Sequence, residues 1–158
     1  MFDFTLSSSY NQCMNRRQSQ LKIIEALKQI DGRTSPWNPS YTFNVDVHET
    51  VLDHDEFIEN VNSFPCVMVT VTDTMIRHIG GGERYVVSSF RIRGITWDER
   101  TEEAEELLAD DIEHVISHMR SAEPEFDEIR IDTVQTDEGL NAPLGAVVVQ
   151  GTMVYRHD

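Results

Sequence analysis

Three side chains at helical spacing are the first candidates for chemistry in this sequence. Asp110, His114 and His118 lie four residues apart in a segment with helical periodicity, so all three would project from one helix face. Two imidazoles and a carboxylate can bind zinc. However, the segment has neither an HExxH pattern nor a cysteine ligand, and the helix dipole also favours histidines near a helix C-terminus. We therefore expect a solvated helix face and no metal site.

Other motifs for catalysis or ligand binding are incomplete. The run Asp53-His54-Asp55-Glu56 lacks the glycine and the regular oxygen spacing of a calcium loop. Gly80-Gly81-Gly82 is not followed by the Lys-Ser/Thr pair and the helix of a phosphate-binding loop, and it predicts a hairpin tip instead. The serines lie outside any GxSxG motif. The sequence thus predicts no catalytic residues, no cofactor and no enzymatic activity.

The charge balance excludes further classes of protein. The 158 residues include 28 acidic and 13 basic side chains, which gives a net charge of −15. Such a chain is a poor match for nucleic-acid phosphates or for an anionic membrane surface. No run approaches the ~18 apolar residues of a membrane-spanning helix, and the N-terminus lacks the basic region of a signal peptide. Two cysteines without a CxxC motif favour a reducing compartment, so we expect a protein made in, and kept in, the cytoplasm.

Two amphipathic helices are predicted to carry these side chains. The first runs from Asn15 to Ile30 and ends at Asp31-Gly32, where glycine tolerates the left-handed cap. The second follows Trp97, with Asp98 or Thr101 as N-cap, and is broken by Pro124. Apolar residues at steps of three and four define its buried face: Ala104, Leu107, Leu108, Ile112, Val115, Ile116 and Met119. Its other face is predicted to be carboxylate.

Alternating apolar and polar residues predict the strands. The predicted strand segments are Tyr41 to His48, Cys66 to Val71 with an extension to His78, Tyr85 to Ile95, Ile129 to Val134, and Ala146 to Tyr155. The prolines between Arg33 and Ser40 predict a connector, and Asp55 to Val61 could form a short helix. The three glycines join two of the strands into a long hairpin.

This order of elements predicts the fold class. Strands follow strands without crossover helices, so we expect an α+β fold with a mainly antiparallel sheet, a long β-hairpin and two principal helices packed on one face. Residues 1–158 should form a single domain. Within it, residues 1–14 are expected to be an N-terminal arm that is mobile or docks on a neighbour, and residues 49–64 an acidic insertion.

The distribution of charge along the chain suggests a role in assembly. Cations cluster on the first helix and the long hairpin, whereas anions cluster on the second helix and the 49–59 segment. These are either solvated faces or surfaces through which identical copies dock head to tail, a contact that can close into a ring. The candidate interface residues are Arg16, Arg17, Arg77, Arg84, Arg91 and Arg93 on the basic side, and Glu102, Glu106, Asp110 and Glu113 on the opposing face or a central lumen.

Several local patterns together resemble a known family. They are the helix Leu21 to Leu27, the strand Pro65 to Val69, the helix Ala104 to Ile112, and Thr136 to Gly139 followed by Pro143 to Gly145 and a strand ending in Val154-Tyr155. In these patterns, which span about residues 21–155, the chain resembles the tail terminator (tail completion) proteins of tailed bacteriophages, the lambda-type minor tail protein family. The segment from Glu49 to Phe64 has no counterpart in that family, and could be an elaboration for a sheath or neck partner.

The resemblance implies a structural protein of the virion tail. Members form a hexameric ring that caps the finished tail tube, ends its polymerisation and provides the surface for head or neck attachment, with DNA passing through without specific binding. The implied partners are further copies of the chain, the tail tube protein and head–tail connector or neck proteins. Two alternatives stay open: a connector or neck protein of related fold, and an acidic protein-binding module that inhibits a nucleic-acid enzyme by DNA mimicry.

Overall fold

A computed structural model describes residues 14–28, 33–34, 42–43, 46–48 and 64–156. The elements, numbered here in chain order, are α1 (Arg16–Lys28), β1 (Arg33–Thr34), β2 (Thr42–Phe43), β3 (Asp46–His48), β4 (Cys66–His78), β5 (Arg84–Trp97), α2 (Thr101–Ala122), β6 (Phe126–Thr136) and β7 (Leu144–Arg156). The predicted helix end at Asp31-Gly32, the helix around 55–61, nearly all of the N-terminal arm and nearly all of the 49–64 segment lie outside the described residues.

The predicted α+β class is confirmed. Five strands form one sheet in the order β3-β4-β5-β7-β6. The pairs β4–β5, β5–β7 and β6–β7 are all antiparallel, and only the short β3 pairs in parallel, with β4. β7 therefore lies between β5 and β6, so the hairpin β6–β7 joins the hairpin β4–β5 through the pairing of β7 with β5.

The long hairpin β4–β5 forms because its turn is made of glycines. Gly80, Gly81 and Gly82 have φ of 61, 66 and 81°, a left-handed conformation that costs other residues a steric penalty. The two strands pair from Cys66–Ile95 at the open end of the hairpin to His78–Arg84 beside the tip, with a register shift between Val71 and Thr74. The predicted extension of β4 to His78 is thus confirmed.

The core lies between one face of this sheet and the two helices. Strand residues with period two and helix residues at steps of three and four meet there in the main apolar cluster, as their sequence patterns predict. A smaller buried cluster of Cys66, Met68 and Ile95 lies on the other face of the sheet. Phe90 and Tyr155 are the largest fully buried strand side chains of the main cluster, and Tyr155 meets Phe126 edge-on with ring centroids 6.3 Å apart. Lys22 joins the helices at the rim, with its Nζ 3.3 Å from carboxylate oxygens of both Glu123 and Glu125.

Two sequence predictions need correction. The segment from Tyr41 to His48 is not one strand: β2 pairs with β1 in a separate two-stranded sheet, whereas β3 joins the main sheet. β1 also falls in the segment predicted to be a connector. The N-cap of α2 is Arg100, which makes no side-chain capping hydrogen bond. Asp98 lies outside the helix because its Oδ1 accepts the Arg100 N–H at 2.9 Å, while Thr101 donates from Oγ1 to the Asp98 carbonyl.

α1 also covers the outer edge of β4. The Gln20 side-chain amide donates to the Val69 carbonyl at 2.9 Å, and the Arg16 guanidinium donates to the Val71 carbonyl at 2.6 Å and to the Thr72 carbonyl at 3.0 Å. Carbonyls beyond the short β3 are thereby paired without a further strand. Covering an edge in this way also prevents unwanted strand pairing.

A close approach inside the sheet gives the first prediction. A Cβ at Gly151 would overlap both the backbone oxygen of Arg130 and the ring of Phe90. We expect Gly151→Ala to lower the free energy of unfolding by about 1–3 kcal/mol or more, because backbone cannot move aside. Gly94→Ala is the matched control, since its Cβ would meet a Leu108 methyl carbon at 2.6 Å, which a side-chain rotation can relieve. Urea unfolding measures both, and equal losses would contradict the explanation.

Candidate functional site

The sheet face opposite the helices carries five arginines, and we call it the arginine face. Directly paired residues of an antiparallel sheet share a face, and alternate residues along a strand return to it. Arg91 and Arg93 therefore lie on one face of β5 with Tyr85, which pairs with Arg77 on β4 and Arg156 on β7. The fifth member is Arg130 on β6, paired with Thr152, which in turn pairs with Ser89. Strands distant in sequence thus assemble one cationic surface.

Two carboxylates on the arginine face pair with Arg130. Its Nη1 donates to Glu128 Oε1 at 2.6 Å and its Nε donates to Asp132 Oδ1 at 2.9 Å. Asp132 also accepts a hydrogen bond from the Thr152 hydroxyl at 2.6 Å. That bond, together with the Arg130 guanidinium, lowers the pKa of Asp132, while Glu128 and Asp132 raise the pKa of Arg130. The β6 end of this face therefore carries an excess of negative charge.

The other arginines of this face are bound less tightly by acidic groups. Arg156 donates to the Tyr85 hydroxyl at 3.2 Å and lies 5.5 Å from the centre of that ring, in cation–π geometry. Within residues 14–156 as described, Arg77, Arg91 and Arg93 form no ion pair with a carboxylate. These three cations are consequently available to an anionic partner.

Arg91 also lines a shallow depression at the centre of the arginine face. The depression has a volume of about 90 Å³, and its polar lining residues are Thr72, Ser89, Arg91, Asp132, Thr133 and Gln150. The Arg91 Nε is buried there without a hydrogen-bond partner among the described residues. A buried guanidinium N–H without an acceptor costs free energy, so this position lowers the stability of the fold.

The structure places the six predicted basic residues in three different settings. Arg77, Arg91 and Arg93 come together on the arginine face. Arg84 pairs with His78 on the helix side of the same hairpin. The remaining two begin α1, where Arg16 covers the edge of β4 and the Arg17 guanidinium donates to the Gln20 side-chain oxygen at 2.8 Å. The sequence does not reveal that Arg130 and Arg156 join the first group, since this depends on strand order.

The four predicted acidic residues form one exposed stripe on α2. Glu102, Glu106, Asp110 and Glu113 are all exposed, and their spacing keeps them on the side of α2 away from the core. We call this surface the acidic stripe. Since α2 packs against the other face of the sheet, the acidic stripe and the arginine face lie on opposite sides of the structure.

Two other acidic residues of α2 do not belong to this solvated surface. Glu105 is fully buried and Asp111 is 5% exposed. The helical repeat contains the signal for Glu105, because it lies three and four residues before Leu108 and Ala109, which are both buried. The helical spacing alone therefore places Glu105 on the buried face of α2, although its side chain is a carboxylate.

Glu105 fixes the loop that joins β6 to β7. Its Oε2 accepts the Asp137 N–H and its Oε1 accepts the Gly139 N–H, both at 3.2 Å. Gly145 leaves the space that this side chain fills, since a Cβ there would lie 2.8 Å from Glu105 Cγ. Burial, followed by the nearby Asp137 carboxyl, raises the pKa of Glu105 to about 7. The group is thus ionised only in part near neutral pH.

Within the described ranges, no three His, Cys, Asp or Glu side chains are grouped so that they could hold a metal ion. His114 and His118 are exposed on α2, as is Asp110. Neither α1 nor α2, the helices that the structure describes, is long and apolar enough to cross a membrane.

Comparison with known proteins adds no relative. The sequence matches no known protein-family model, and a search of curated protein sequences found no significant match.

The buried carboxylate gives a prediction for the pH dependence of stability. Between the ordinary pKa of 4.5 and the folded value of about 7, the folded chain retains a proton that the unfolded chain has released. The free energy of unfolding should therefore fall as pH rises through this window, by up to roughly 3 kcal/mol. Glu105→Gln, an uncharged side chain of the same shape, should remove most of this dependence. Urea unfolding between pH 5 and pH 8 measures both proteins.

Glu106→Gln is the matched control, because it removes a neighbouring carboxylate that is exposed. It should retain the pH dependence of the wild type. If Glu105→Gln and Glu106→Gln show the same pH dependence as the wild-type chain, Glu105 does not titrate as its environment requires.

Proposed function

We propose that this protein is a structural, ring-forming tail terminator of a tailed bacteriophage, and not an enzyme. Copies of the chain, six in the family it resembles, would close into a ring that caps the tail tube, ends its polymerisation and offers a surface to head or neck proteins. The observation that supports this most strongly is the separation of charge onto opposite sides of the structure. The resemblance noted in the sequence supplies the particular assembly.

Opposite charge on opposite sides favours a head-to-tail contact. A surface that complements a different surface of the same molecule makes a heterologous contact, which forms a closed ring if the rotation between copies closes. Arg77, Arg91 and Arg93 on one copy can meet the acidic stripe of the next. Exposed ion pairs contribute only about 0–1 kcal/mol each, so several pairs and some apolar area must act together.

The excess of acidic residues fits a channel for DNA. Carboxylates that face a lumen repel phosphates, so DNA would pass without binding. Those of the acidic stripe that no neighbouring copy covers are candidates for this lining. In this proposal the protein is located at the head-proximal end of the virion tail, with the tail tube protein on one side and neck proteins, with or without a sheath, on the other.

The acidic stripe also supports a second candidate function. A row of exposed carboxylates on one helix could imitate a nucleic-acid backbone and occupy the basic groove of an enzyme that binds DNA or RNA. Such an inhibitor would act as a monomer or dimer and would bind a basic protein with strong salt dependence. A connector or neck protein would also form rings, so the mass in solution does not separate it from a tail terminator. The position of the gene does: beside the portal gene for a connector, and beside the tube gene for a tail terminator.

The decisive experiment measures mass in solution and images the protein by negative stain, alone and with tail tubes. A tail terminator should form rings of uniform size, and these should be found at one end of the tubes. Monomers that ignore tubes but bind a basic enzyme in a salt-sensitive manner would support the inhibitor and contradict the ring.

The arginine face gives the corresponding mutational prediction. Reversing charge in Arg91→Glu/Arg93→Glu should weaken ring formation or tube capping at least tenfold, because two attractive contacts become repulsive in every interface, a change of about 1.4 kcal/mol or more. Circular dichroism should show that the fold persists. The measurements are oligomer mass across a dilution series and the length of capped tubes.

A single-site comparison controls for net charge. Arg93→Glu and Lys28→Glu change the total charge equally, but Lys28 lies at the end of α1, away from the arginine face. Only Arg93→Glu should weaken assembly. An unchanged oligomer mass and tube length in Arg91→Glu/Arg93→Glu would remove the arginine face from the interface.

A further inference from the structure

The tip of the long hairpin exposes a group of apolar side chains. Met75, Ile76 and Ile79 are 56, 49 and 52% exposed, although they are large and lie within five residues of one another. Residues 73–83 are exposed throughout, so this part of the hairpin extends beyond the core. We call these three side chains the tip patch. Met75 and Ile76 lie on opposite faces of the hairpin, since they pair with Val87 and Val86, so the tip is apolar on both faces and a partner would have to enclose it to cover both side chains.

A second exposed apolar group lies at the far end of the same hairpin. Trp97 is 54% exposed and Phe64 is 37% exposed, with their ring centroids 6.0 Å apart. The Asp98 N–H donates to the Pro143 carbonyl at 3.1 Å, which holds the β6–β7 loop against this end. In that loop Leu140 is 83% exposed. We call Phe64, Trp97 and Leu140 the end patch.

The two patches cannot meet within one chain. β5 runs from Arg84 to Trp97, 14 residues, between the tip patch and the end patch. Met75 pairs with Val87, ten residues before Trp97, so at ~3.3 Å per residue even the nearest parts of the two patches lie roughly 30 Å apart. A tip patch can therefore cover an end patch only if the two belong to different copies.

The charges around the two patches differ in the way that such a contact needs. Around the end patch there are five carboxylates and one arginine, namely Asp98, Glu99, Glu102, Asp137, Glu138 and Arg100. At or beside the tip patch there are three arginines, one histidine and three carboxylates, namely Arg77, Arg84, Arg156, His78, Asp73, Glu83 and Asp127. In a chain with a net charge of −15, the tip is thus close to neutral, whereas the end patch is acidic, so Arg77 and Arg84 of the tip can pair with carboxylates of the end patch.

We infer that the hairpin tip of one copy docks on the end patch of the next copy, so that apolar side chains meet at the centre and unlike charges meet at the rim. This arrangement resembles other protein interfaces, which have an apolar centre and a polar rim. The inference rests on the proposed ring and specifies which parts of successive copies touch. Each copy gives its tip to one neighbour and its end patch to the other, as a closed head-to-tail ring requires.

The Glu105 contacts explain how the end patch is kept in place. The backbone N–H groups of Asp137 and Gly139 bind its carboxylate, and Leu140 is the next residue. An exposed loop residue held in this way loses less conformational freedom when it docks, which favours binding.

Charge exchange between the two patches tests the inference directly. Arg77→Glu/Arg84→Glu makes the tip acidic, and Glu99→Lys/Glu138→Lys makes the end patch basic; all four sites lie at the surface or are only half-buried. Each double variant alone should assemble at least tenfold more weakly than the wild type. An equimolar mixture should recover assembly, because the two variants can alternate around a ring with an even number of copies. Mass photometry and negative stain measure this recovery.

A second variant tests the apolar centre. Leu140→Asp should weaken assembly, whereas Asn141→Asp adds the same charge one residue away and removes no apolar side chain, so it should have a much smaller effect. Leu140 is largely exposed, so the fold does not depend on it. Thermal unfolding of both variants should match that of the wild type.

The outcomes separate this inference from the proposed function. Recovery in the mixture, with loss in each variant alone, supports the contact. Rings that form equally well from each variant alone overturn the inference and leave the proposed ring standing. Rings that form normally but no longer cap tubes assign the hairpin tip to the tube protein, which also overturns the inference. A wild-type chain that never forms rings, alone or on tubes, overturns both.

Discussion

The burial of one sheet face under two helices is the constraint on which the other features depend. Because side chains alternate along a strand, placing Val86, Phe90 and Ile92 in the core puts Arg91 and Arg93 on the opposite face. A shift of one residue in the pairing would bury the arginines and expose the core. The same alternation of side chains that buries the apolar residues of β5 thus also places its arginines on the opposite face.

The end of the core near Glu105 shows that this burial is not purely apolar. A buried carboxylate loses hydration, and that loss is offset here by two backbone hydrogen bonds from the β6–β7 loop. An apolar residue at this position would leave the Asp137 N–H with only the Ala146 carbonyl and the Gly139 N–H with only the Asp137 carboxylate as acceptors. The carboxylate therefore reduces stability near neutral pH and in return fixes the loop that presents Leu140.

Local patterns in the sequence were sufficient for some of these features and not for others. The tip glycines and the alternation on either side of them predict the β4–β5 hairpin, and the apolar stripe predicts α2. Strand order is different, because β7 pairs with β5, from which α2 and β6 separate it in sequence. For that reason the presence of Arg130 and Arg156 on the same sheet face as Arg91 could not be predicted. The division of the 41–48 segment between two sheets has the same cause.

A ring of strongly acidic copies has to overcome their mutual repulsion, and this limits what its contacts can be. Charges further apart than about 8 Å are largely screened at physiological salt, so the net charge of −15 acts mainly at low ionic strength. Close pairs between an arginine and a carboxylate determine orientation but contribute little free energy. In the proposed assembly the affinity would therefore come from the buried apolar side chains of the tip and end patches, while the charges around them select which surfaces meet. Without the apolar contact, unlike charges alone would bring copies together too weakly to cap a tube.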